Sequence, residues 1–310
     1  MLDSYGRNIN NMRISVTQQC NLDCFYCHHE GENGGNGNNG HMSLQEIEKI
    51  AEIGSRVGIH KVKITGGEPL LRKDIVDIVH KCALHMKEVS MTTNGVLLKE
   101  YARALKEAGL KRVNVSFDAI DCETFRTITR KDVLQDVKEG IEAAIENGLS
   151  PVKLNMVVLR GINDRDYWEA IEYASSIDAI LQLIEFETSK EGTGGELFQA
   201  YHKPLDDFED QLKERALDIK ERAMHRRRKY IVPSESNGGA EVEIVRGMHN
   251  SVFCGNCTRL RVTSDGFLKP CLLREDNYID IAGPIRKGAS DEELQTLFEE
   301  AINRKEPYWR

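Results

Sequence analysis

The sequence predicts an α/β fold, a parallel sheet covered by helices, and two observations carry that reading. Between residues 12 and 187 strand-like and helix-like segments alternate, the pattern of repeated βα units. After about residue 188 the alternation stops and short strands mix with loop and helix. The strand candidates are 12–17, 61–65, 89–93, 112–116, 152–158 and 180–187, each short, β-branched or apolar, and bounded by turn residues. Helical periodicity occupies 43–57, 74–85, 98–108, 133–147 and 166–176. Ser43 and Glu46 are spaced as a capping box, and Gly109 and Gly148 stand where helices stop. With right-handed crossovers such a sheet curls into a partial barrel or stays a flat doubly wound sheet; periodicity does not separate the two. In both, ligands meet the carboxyl edge of the strands.

Beyond residue 188 the expected elements are a loop over 189–200 and one long amphipathic helix over 205–224. That helix runs into Arg226-Arg-Arg-Lys229, most simply a solvated helix end that complements the macrodipole. Short strands at 230–232, 241–245, 259–263 and 267–269 precede a terminal helix over 291–303, with Ser290 and Glu293 as a second capping box. Residues 188–310 therefore read as a smaller α+β domain attached to residues 1–187. The glycine- and asparagine-rich run 31–40 reads as a flexible surface loop close to a cysteine cluster.

Hydrophobic residues make up 40% and charged residues 30% of the 310, enough for a sizeable core. No apolar stretch has membrane-spanning length, and the start does not resemble a signal peptide, so the expected compartment is the cytoplasm. A net charge of −8 argues against general nucleic-acid binding. An anionic ligand would need a local cluster of Lys and Arg set against that overall field.

Six of the eight cysteines fall in two triplets, Cys20-x3-Cys24-x2-Cys27 and Cys254-x2-Cys257-x13-Cys271. Clustered thiols in a chain of this length with no signal peptide point to metal rather than disulfides. Cys82, inside an apolar helical pattern, reads as core packing, and Cys122 has no evident partner. Three thiols this close can hold three corners of an iron–sulfur cube, which leaves one iron open for chemistry. Zinc remains the competing reading, with His28 or His29 as a fourth ligand at the first triplet and His249 at the second.

Other polar groups gather at the ends of the predicted strands. Gly66 and Gly67 end the second strand and permit close backbone approach to a ligand. Thr92-Thr-Asn-Gly95 and Asn114-Val-Ser-Phe-Asp118 end the next two. Arg259 and Arg261 alternate along one later strand and so project to one face, where guanidinium forks suit phosphate oxygens.

Placed together, Cys20-Asn-Leu-Asp-Cys24-Phe-Tyr-Cys27 and Thr65-Gly-Gly-Glu-Pro69 resemble the signature of the radical S-adenosylmethionine (SAM) enzymes, whose open iron chelates the amino and carboxylate groups of SAM. The segment from Phe253 to Leu272 resembles the C-terminal cluster segment of the GTP 3′,8-cyclase family, which opens molybdenum cofactor (molybdopterin) biosynthesis. The likeness covers nearly the whole chain, including Arg13-Ile-Ser-Val-Thr17, Lys153-Leu-Asn155 and Gly161-Ile-Asn-Asp164. It implies a partial (βα)6 TIM-like barrel over 1–187. It also implies an α+β domain over 188–310 that carries a second cluster and binds substrate.

For the sites, the resemblance implies a SAM-chelating [4Fe–4S] cluster on Cys20, Cys24 and Cys27. A second [4Fe–4S] cluster, on Cys254, Cys257 and Cys271, would hold the purine. Tyr26, Gly66, Gly67 and Ser116 would contact SAM; Arg13, Lys63, Thr92, Lys153, Arg259 and Arg261 would contact GTP. The first triplet with Arg259 and Arg261 would carry catalysis, in which a 5′-deoxyadenosyl radical takes the ribose 3′ hydrogen and the ribose carbon attacks C8 of guanine. The enzyme would be a radical SAM lyase that makes 3′,8-cyclo-7,8-dihydro-GTP. Its implied partners are a low-potential donor of flavodoxin or ferredoxin type and cyclic pyranopterin monophosphate synthase downstream. No nucleic acid or membrane is implied, and a homodimer is left open.

The chain departs from the family pattern at three places. Lys63 stands where many members carry Arg, which keeps the charge and loses the fork. Gln182 also stands where many carry Arg. The chain ends Lys-Glu-Pro-Tyr-Trp-Arg310 rather than Gly-Gly, so another group would replace that tail. Two alternatives stand beside this reading. One is another two-cluster radical SAM enzyme such as a peptide-modifying maturase, though those often carry more C-terminal cysteines. The other is a non-catalytic zinc- or Fe–S-stapled binding or electron-carrier protein.

Overall fold

Six parallel strands run in sequence order across the sheet: β1 (Asn11–Ser15), β2 (Lys61–Thr65), β3 (Glu88–Thr93), β4 (Arg112–Ser116), β5 (Lys153–Val158) and β6 (Ile180–Glu185). In this computed structural model residues 1–32 and 40–308 are described; positions 33–39 of the glycine-rich run expected at 31–40 lie outside them. The crossovers are α1 (Leu44–Arg56), α2 (Ile75–His85), α3 (Leu98–Glu107), α4 (Cys122–Thr129) with α5 (Leu134–Glu146), and α6 (Tyr167–Ser176). Ser43 caps α1 in the predicted box: its side chain accepts from Glu46 N–H while Glu46 accepts from Ser43 N–H. The helix α4 was not predicted. Only Phe125, Ile128 and Thr129 are buried in its eight residues, so its apolar period is too thin to stand out.

Parallel strands covered on both faces read as unbroken apolar runs. These strands alternate instead. Met12 and Ile14, Val62 and Ile64, and Val113 and Val115 are fully buried in the main core. Arg13, Lys63, Thr92 and Asn114 line a cavity on the other face. Side chains of β1 to β6 all reach that one cavity, so the six strands wrap around it as a partial barrel rather than lying flat. Cys82 is fully buried in the core, as its helical context predicts, and Cys122 is exposed at the start of α4.

The remaining residues extend the same sheet from both edges. After α7 (Glu196–Tyr201) and α8 (Asp206–Arg215), β7 (Asp218–Glu221), β8 (Arg228–Val232) and β9 (Ala240–Val245) form an antiparallel run that joins β6 through the parallel pair β6–β9. At the other edge, after α9 (Ser251–Gly255), β10 (Arg259–Val262) pairs parallel with β1. It continues antiparallel into β11 (Phe267–Lys269) and β12 (Ile279–Asp280). The described strands form a 12-stranded order, β12-β11-β10-β1-β2-β3-β4-β5-β6-β9-β8-β7. The helices α10 (Ala282–Arg286) and α11 (Asp291–Asn303) pack on α1. Arg56 pairs with Asp291 at 2.5 Å and Arg286 with Glu46, and Ser290 and Glu293 form the second predicted capping box.

Two expectations for this half are corrected. The segment 189–200 holds a short 3-10 turn (Glu191–Gly194) and the start of α7 rather than a plain loop. The long helix expected over 205–224 stops at Arg215, and the chain turns into the β7–β8 hairpin. All four residues of β7 are exposed. A charged edge strand, which resists pairing with other chains, has the same composition as a solvated helix face. Arg226-Arg-Arg-Lys229 is consequently the entry to a strand, not a helix end.

Arg7 ties the two halves at the barrel's amino-terminal start. Its guanidinium donates to Asp3 Oδ2 (2.6 Å), to the Cys254 carbonyl (2.8 Å) and to the Lys305 carbonyl (2.6 Å). The ion pair is buried, with side-chain exposures of 4% and 0%. Arg7→Leu leaves Asp3 without its partner in the interior and should lower unfolding free energy by about 3 kcal/mol in urea titrations. A loss below about 1 kcal/mol, the range of a surface pair, would show that the staple is not structural.

Candidate active site

Strand ends and the segments just beyond them build the cavity, which has a volume of about 430 Å³. The cluster cysteines and the SAM and GTP contacts implied by the sequence all lie on its wall: Cys20, Cys24 and Cys27; Cys254, Cys257 and Cys271; Tyr26, Gly66, Gly67 and Ser116; and Arg13, Lys63, Thr92, Lys153, Arg259 and Arg261. The two triplets, more than 200 residues apart in sequence, therefore face one cavity.

The first triplet sits on the loop that leaves β1. Backbone N–H groups donate to two of its sulfurs, Leu22 to Cys20 Sγ and His29 to Cys27 Sγ, each at 3.4 Å. Asn94 Nδ2 approaches Cys20 Sγ at 3.8 Å. Burial pushes the Cys20, Cys24 and Cys27 thiols up, and they lack a nearby cation strong enough to reverse it. They become thiolates when a metal charge stands beside them. Among the described residues no three His, Cys, Asp or Glu side chains converge as a single metal ion needs. His249 is not on the cavity wall. Two of the three sulfurs receive amide donors, as suits a cubane cluster with one open iron; of the histidines considered for zinc, His28 lies on the cavity wall.

The glycines after β2 hold this loop in place. Gly67 N–H donates to the Thr17 carbonyl and Glu68 N–H to the Gln19 carbonyl, both at 2.7 Å. A Cβ on Gly66 would meet Thr17 O at 2.4 Å, and one on Gly67 would meet Gln19 O at 2.3 Å. Close approach of the chain to itself is thus a first reason for glycine here. Glu68, fully buried, accepts from Thr93 Oγ1 (2.7 Å), Asn94 N–H (2.7 Å) and Leu70 N–H (3.0 Å), which locks the ends of β2 and β3 together. Across the opening Tyr26 donates to Asp118 Oδ2 at 2.6 Å, and burial pushes Asp118 up to about 6.

At the second triplet Cys257 behaves oppositely. Burial alone would raise its thiol, but Lys305 and a hydrogen bond from His225 hold it well below the ordinary value. Lys305 is itself buried and donates to the Pro270 carbonyl at 2.7 Å. His225 stacks on Phe253 with ring centroids 3.8 Å apart. These groups favour a thiolate, the form that ligates metal.

Between the triplets the sheet register lays cations side by side. Arg261, Arg13 and Lys63 are direct neighbours across β10, β1 and β2, and Thr92, Asn114 and Lys153 are neighbours across β3, β4 and β5. Lys63 donates to Asn114 Oδ1 at 2.6 Å, and Arg259 contacts Met224 Sδ at 3.9 Å; among the described residues neither has a carboxylate partner. Burial first, and then the surrounding arginines and Lys153, lower the Lys63 ammonium well below its ordinary value. Burial with Arg13 and Arg261 does the same to Arg259. Thr92 Oγ1 and Arg13 Nε are buried without a hydrogen-bond partner. Like charges crowded at one wall, with polar atoms unsatisfied beside them, suit an anionic ligand that would relieve both.

Sequence reading missed several carboxylates and cations of this wall. Glu30, three residues after Cys27, accepts from Arg13 Nη1 at 2.9 Å through Oε1 and from Arg261 Nη1 at 2.7 Å through Oε2. Thr65 Oγ1 donates to it at 2.9 Å. Burial would raise Glu30, but the two guanidiniums hold it well below the usual carboxylate range. Glu187 accepts from Gly247 N–H at 3.0 Å, and burial pushes it up to about 7. Arg222 and Arg227 reach the cavity from the unexpected hairpin. Glu30 adjoins a low-complexity run and the arginines sat in a mistaken helix; the one usable signal was Glu187, two residues beyond the end of β6.

Gly67→Ala would drive a methyl into the Gln19 carbonyl and displace the approach to Cys20. After anaerobic reconstitution its iron content should fall to about half of wild type or less, because one triplet of the two is disturbed. Gly255→Ala lies within the second triplet, where an added Cβ meets nothing within 4 Å, and should keep full iron. Equal iron in both variants would remove Gly67 from the support of the first site.

Residues 14–174 match the family described as the radical SAM superfamily, and residues 179–310 match Molybdenum Cofactor Synthesis C. The probable GTP 3′,8-cyclase of Pyrococcus abyssi is 51% identical over 309 residues, which cover 100% of this chain and 99% of the relative. The probable GTP 3′,8-cyclase of Thermococcus kodakarensis is 49% identical over 310 residues and covers 100% of each. In fold, the chain is similar to Streptococcus suis SuiB bound to S-adenosylmethionine, with a TM-score of 0.62 and 16% identity over 86% of this chain and 60% of that one. It spans under two thirds of that structure. A second likeness is to anSMEcpe with bound AdoMet and Cp18Cys peptide, with a TM-score of 0.59 and 17% identity over 96% of this chain and 81% of that one. Two thiol triplets on one cavity, a family match over more than half of the chain and full-length identity near one half lead to one conclusion: the chain belongs to the radical SAM superfamily and, within it, to the GTP 3′,8-cyclase family.

Proposed function

We propose that this protein converts GTP to 3′,8-cyclo-7,8-dihydro-GTP as a radical SAM lyase of molybdenum cofactor biosynthesis. The observation that carries the proposal is the shared cavity, in which two cysteine triplets flank a wall of under-compensated cations. Bound at the first triplet, a [4Fe–4S] cluster and SAM supply hydrogen-atom abstraction. In this assignment Cys20, Cys24 and Cys27 hold that cluster, while Tyr26, Gly66, Gly67 and Ser116 form the wall against which SAM rests. Cys254, Cys257 and Cys271 hold the second cluster, whose open iron suits a purine nitrogen or oxygen. Arg13, Lys63, Thr92, Lys153, Arg259 and Arg261 orient the nucleotide, with the guanidiniums on phosphate oxygens.

The division at residue 187 then separates two tasks. Residues 1–187 carry the radical-generating end, and residues 188–310 bring the second triplet and two of the arginines to the substrate. A low-potential flavodoxin- or ferredoxin-type donor supplies the electron, and cyclic pyranopterin monophosphate synthase takes the product. The proposed setting is the cytoplasm; among the described residues no helix is long and apolar enough to cross a membrane.

An anaerobic incubation with reductant, SAM and GTP tests the reading. The expected outcome is coupled loss of GTP and formation of 5′-deoxyadenosine, on a protein that carries about eight irons per chain. Formation of 5′-deoxyadenosine with GTP intact would reject the cyclase and retain the superfamily chemistry.

Arg259→Ala removes a guanidinium that has no carboxylate partner among the described residues and should weaken GTP binding by about tenfold or more, the worth of one charge-assisted hydrogen bond. Iron at the first triplet should be retained, and binding by wild type should weaken as salt rises. Unchanged affinity in equilibrium dialysis would take Arg259 out of the substrate site.

A further inference from the structure

The turn of the β7–β8 hairpin carries a side chain that the mechanism has not used. Arg222 N–H donates to the Arg227 carbonyl at 2.8 Å and closes that turn over residues 223–226. On one side Arg222 and Arg227 face Glu243 of β9, which also accepts from Lys153 Nζ at 2.6 Å. His225 points the other way, to the second triplet. Its ring stacks on Phe253 with centroids 3.8 Å apart and planes 20° apart, and its backbone N–H donates to the Asn256 carbonyl at 3.1 Å. The same ring hydrogen-bonds Cys257. Beside it, Met224 Sδ meets Arg259 Nη2 at 3.9 Å.

Burial, backbone conformation and topology mark this contact as built. His225 is buried, with 7% of its surface exposed. Its backbone is left-handed, with φ 64° and ψ 3°, and so is that of Arg226, with φ 49°. Residues other than glycine hold that conformation where their surroundings fix it, and such residues gather at functional sites. The partners also come from opposite edges of the sheet. The hairpin extends it beyond β6 through β9, whereas Phe253, Asn256 and Cys257 precede β10, which flanks β1. One histidine therefore joins the two extensions of the sheet, and it does so at a cysteine of the second triplet.

We propose that His225 is a positioning residue of the second cluster: it latches the hairpin over the triplet and donates its ring N–H to Cys257 Sγ, which sets the reduction potential of that cluster. The proposal rests on the reading that Cys254, Cys257 and Cys271 hold a [4Fe–4S] cluster. A ring N–H on a ligating sulfur draws off thiolate charge and favours the reduced, more negative cluster. At the first triplet the amide donors to Cys20 and Cys27 come from the same loop, two residues further on. At Cys257 the donor comes from a separate hairpin, so closure of that hairpin and the electronic state of the second cluster are coupled.

The test is an EPR-monitored redox titration of the full-length protein, reconstituted anaerobically. A Cys20→Ala, Cys24→Ala, Cys27→Ala background leaves the second cluster alone to be read. There His225→Phe keeps a ring against Phe253 and loses the donor. At the background's own midpoint its oxidised-to-reduced ratio should rise about tenfold, a fall of about 59 mV for one electron. His225→Gly suits the left-handed backbone and also lacks the donor, so it should shift the same way, and it decides if His225→Phe loses its iron. An unchanged midpoint in a variant that keeps about four irons overturns the proposal. So does an equal fall at the first cluster, read in a Cys254→Ala, Cys257→Ala, Cys271→Ala background, because that marks general loosening of the barrel. Loss of iron from both variants, with the first cluster retained, supports the latch as a requirement of the second site. If the first background holds no iron even with His225 present, the cluster reading of the second triplet falls and the proposal falls with it.

Discussion

Repulsion between cations that share one concave face is the constraint on which the rest of this structure turns. A strand sends alternate side chains to opposite faces, and here one set is apolar and locked against the helices. The other set has nowhere to point but inward. Parallel register then places Arg261 beside Arg13 and Arg13 beside Lys63. In an acidic protein of net charge −8 this is a local reversal of sign, and it costs stability unless something negative enters. The protein brings carboxylates from distant parts of the chain to hold the face together, and among the described residues none pairs with Lys63 or Arg259.

The internal anions are not interchangeable. Glu243 lies under its cations with no exposed surface and belongs to the permanent frame. Glu30 rises from the loop that carries Cys27, in a left-handed backbone conformation with φ 55°, and occupies the two arginines from the cavity side. Its two oxygens occupy guanidinium donors of Arg13 and Arg261 that the proposed phosphate contacts require. Because it follows the first triplet so closely, the geometry of the cysteine loop and the occupancy of Arg13 and Arg261 are mechanically joined.

Much of this was legible in the sequence, and the pattern of what was not is physical. Strands such as Lys61–Thr65 and Arg112–Ser116 declare themselves because one face must be apolar, and the thiol triplets declare themselves because metal chemistry demands their spacing. The corner built by Arg222 and Arg227 was hidden because β7 is solvent-exposed along its whole length: with no buried face, period two and period 3.6 look alike. Pairings such as Lys153 with Glu243 depend on β9 docking beside β6. That parallel contact leaves no local mark in the residues that make it. Gln182, which reads as the loss of a cation, is an amide donor to Glu243, a role visible only once its neighbours are known.

The place of β1 carries one more consequence. It lies between β2, about fifty residues later, and β10, about two hundred and fifty residues later. During synthesis its outer edge stays open until almost the entire chain has left the ribosome. An unpaired strand edge is a template for pairing with other chains, and this one borders the loop that must receive iron. The nascent protein thus passes through a stage in which the first metal loop is complete in sequence, the barrel is open on that side, and the closing strand has yet to be made. The interval in which that edge is open to other chains is thus set by strand order in the finished sheet.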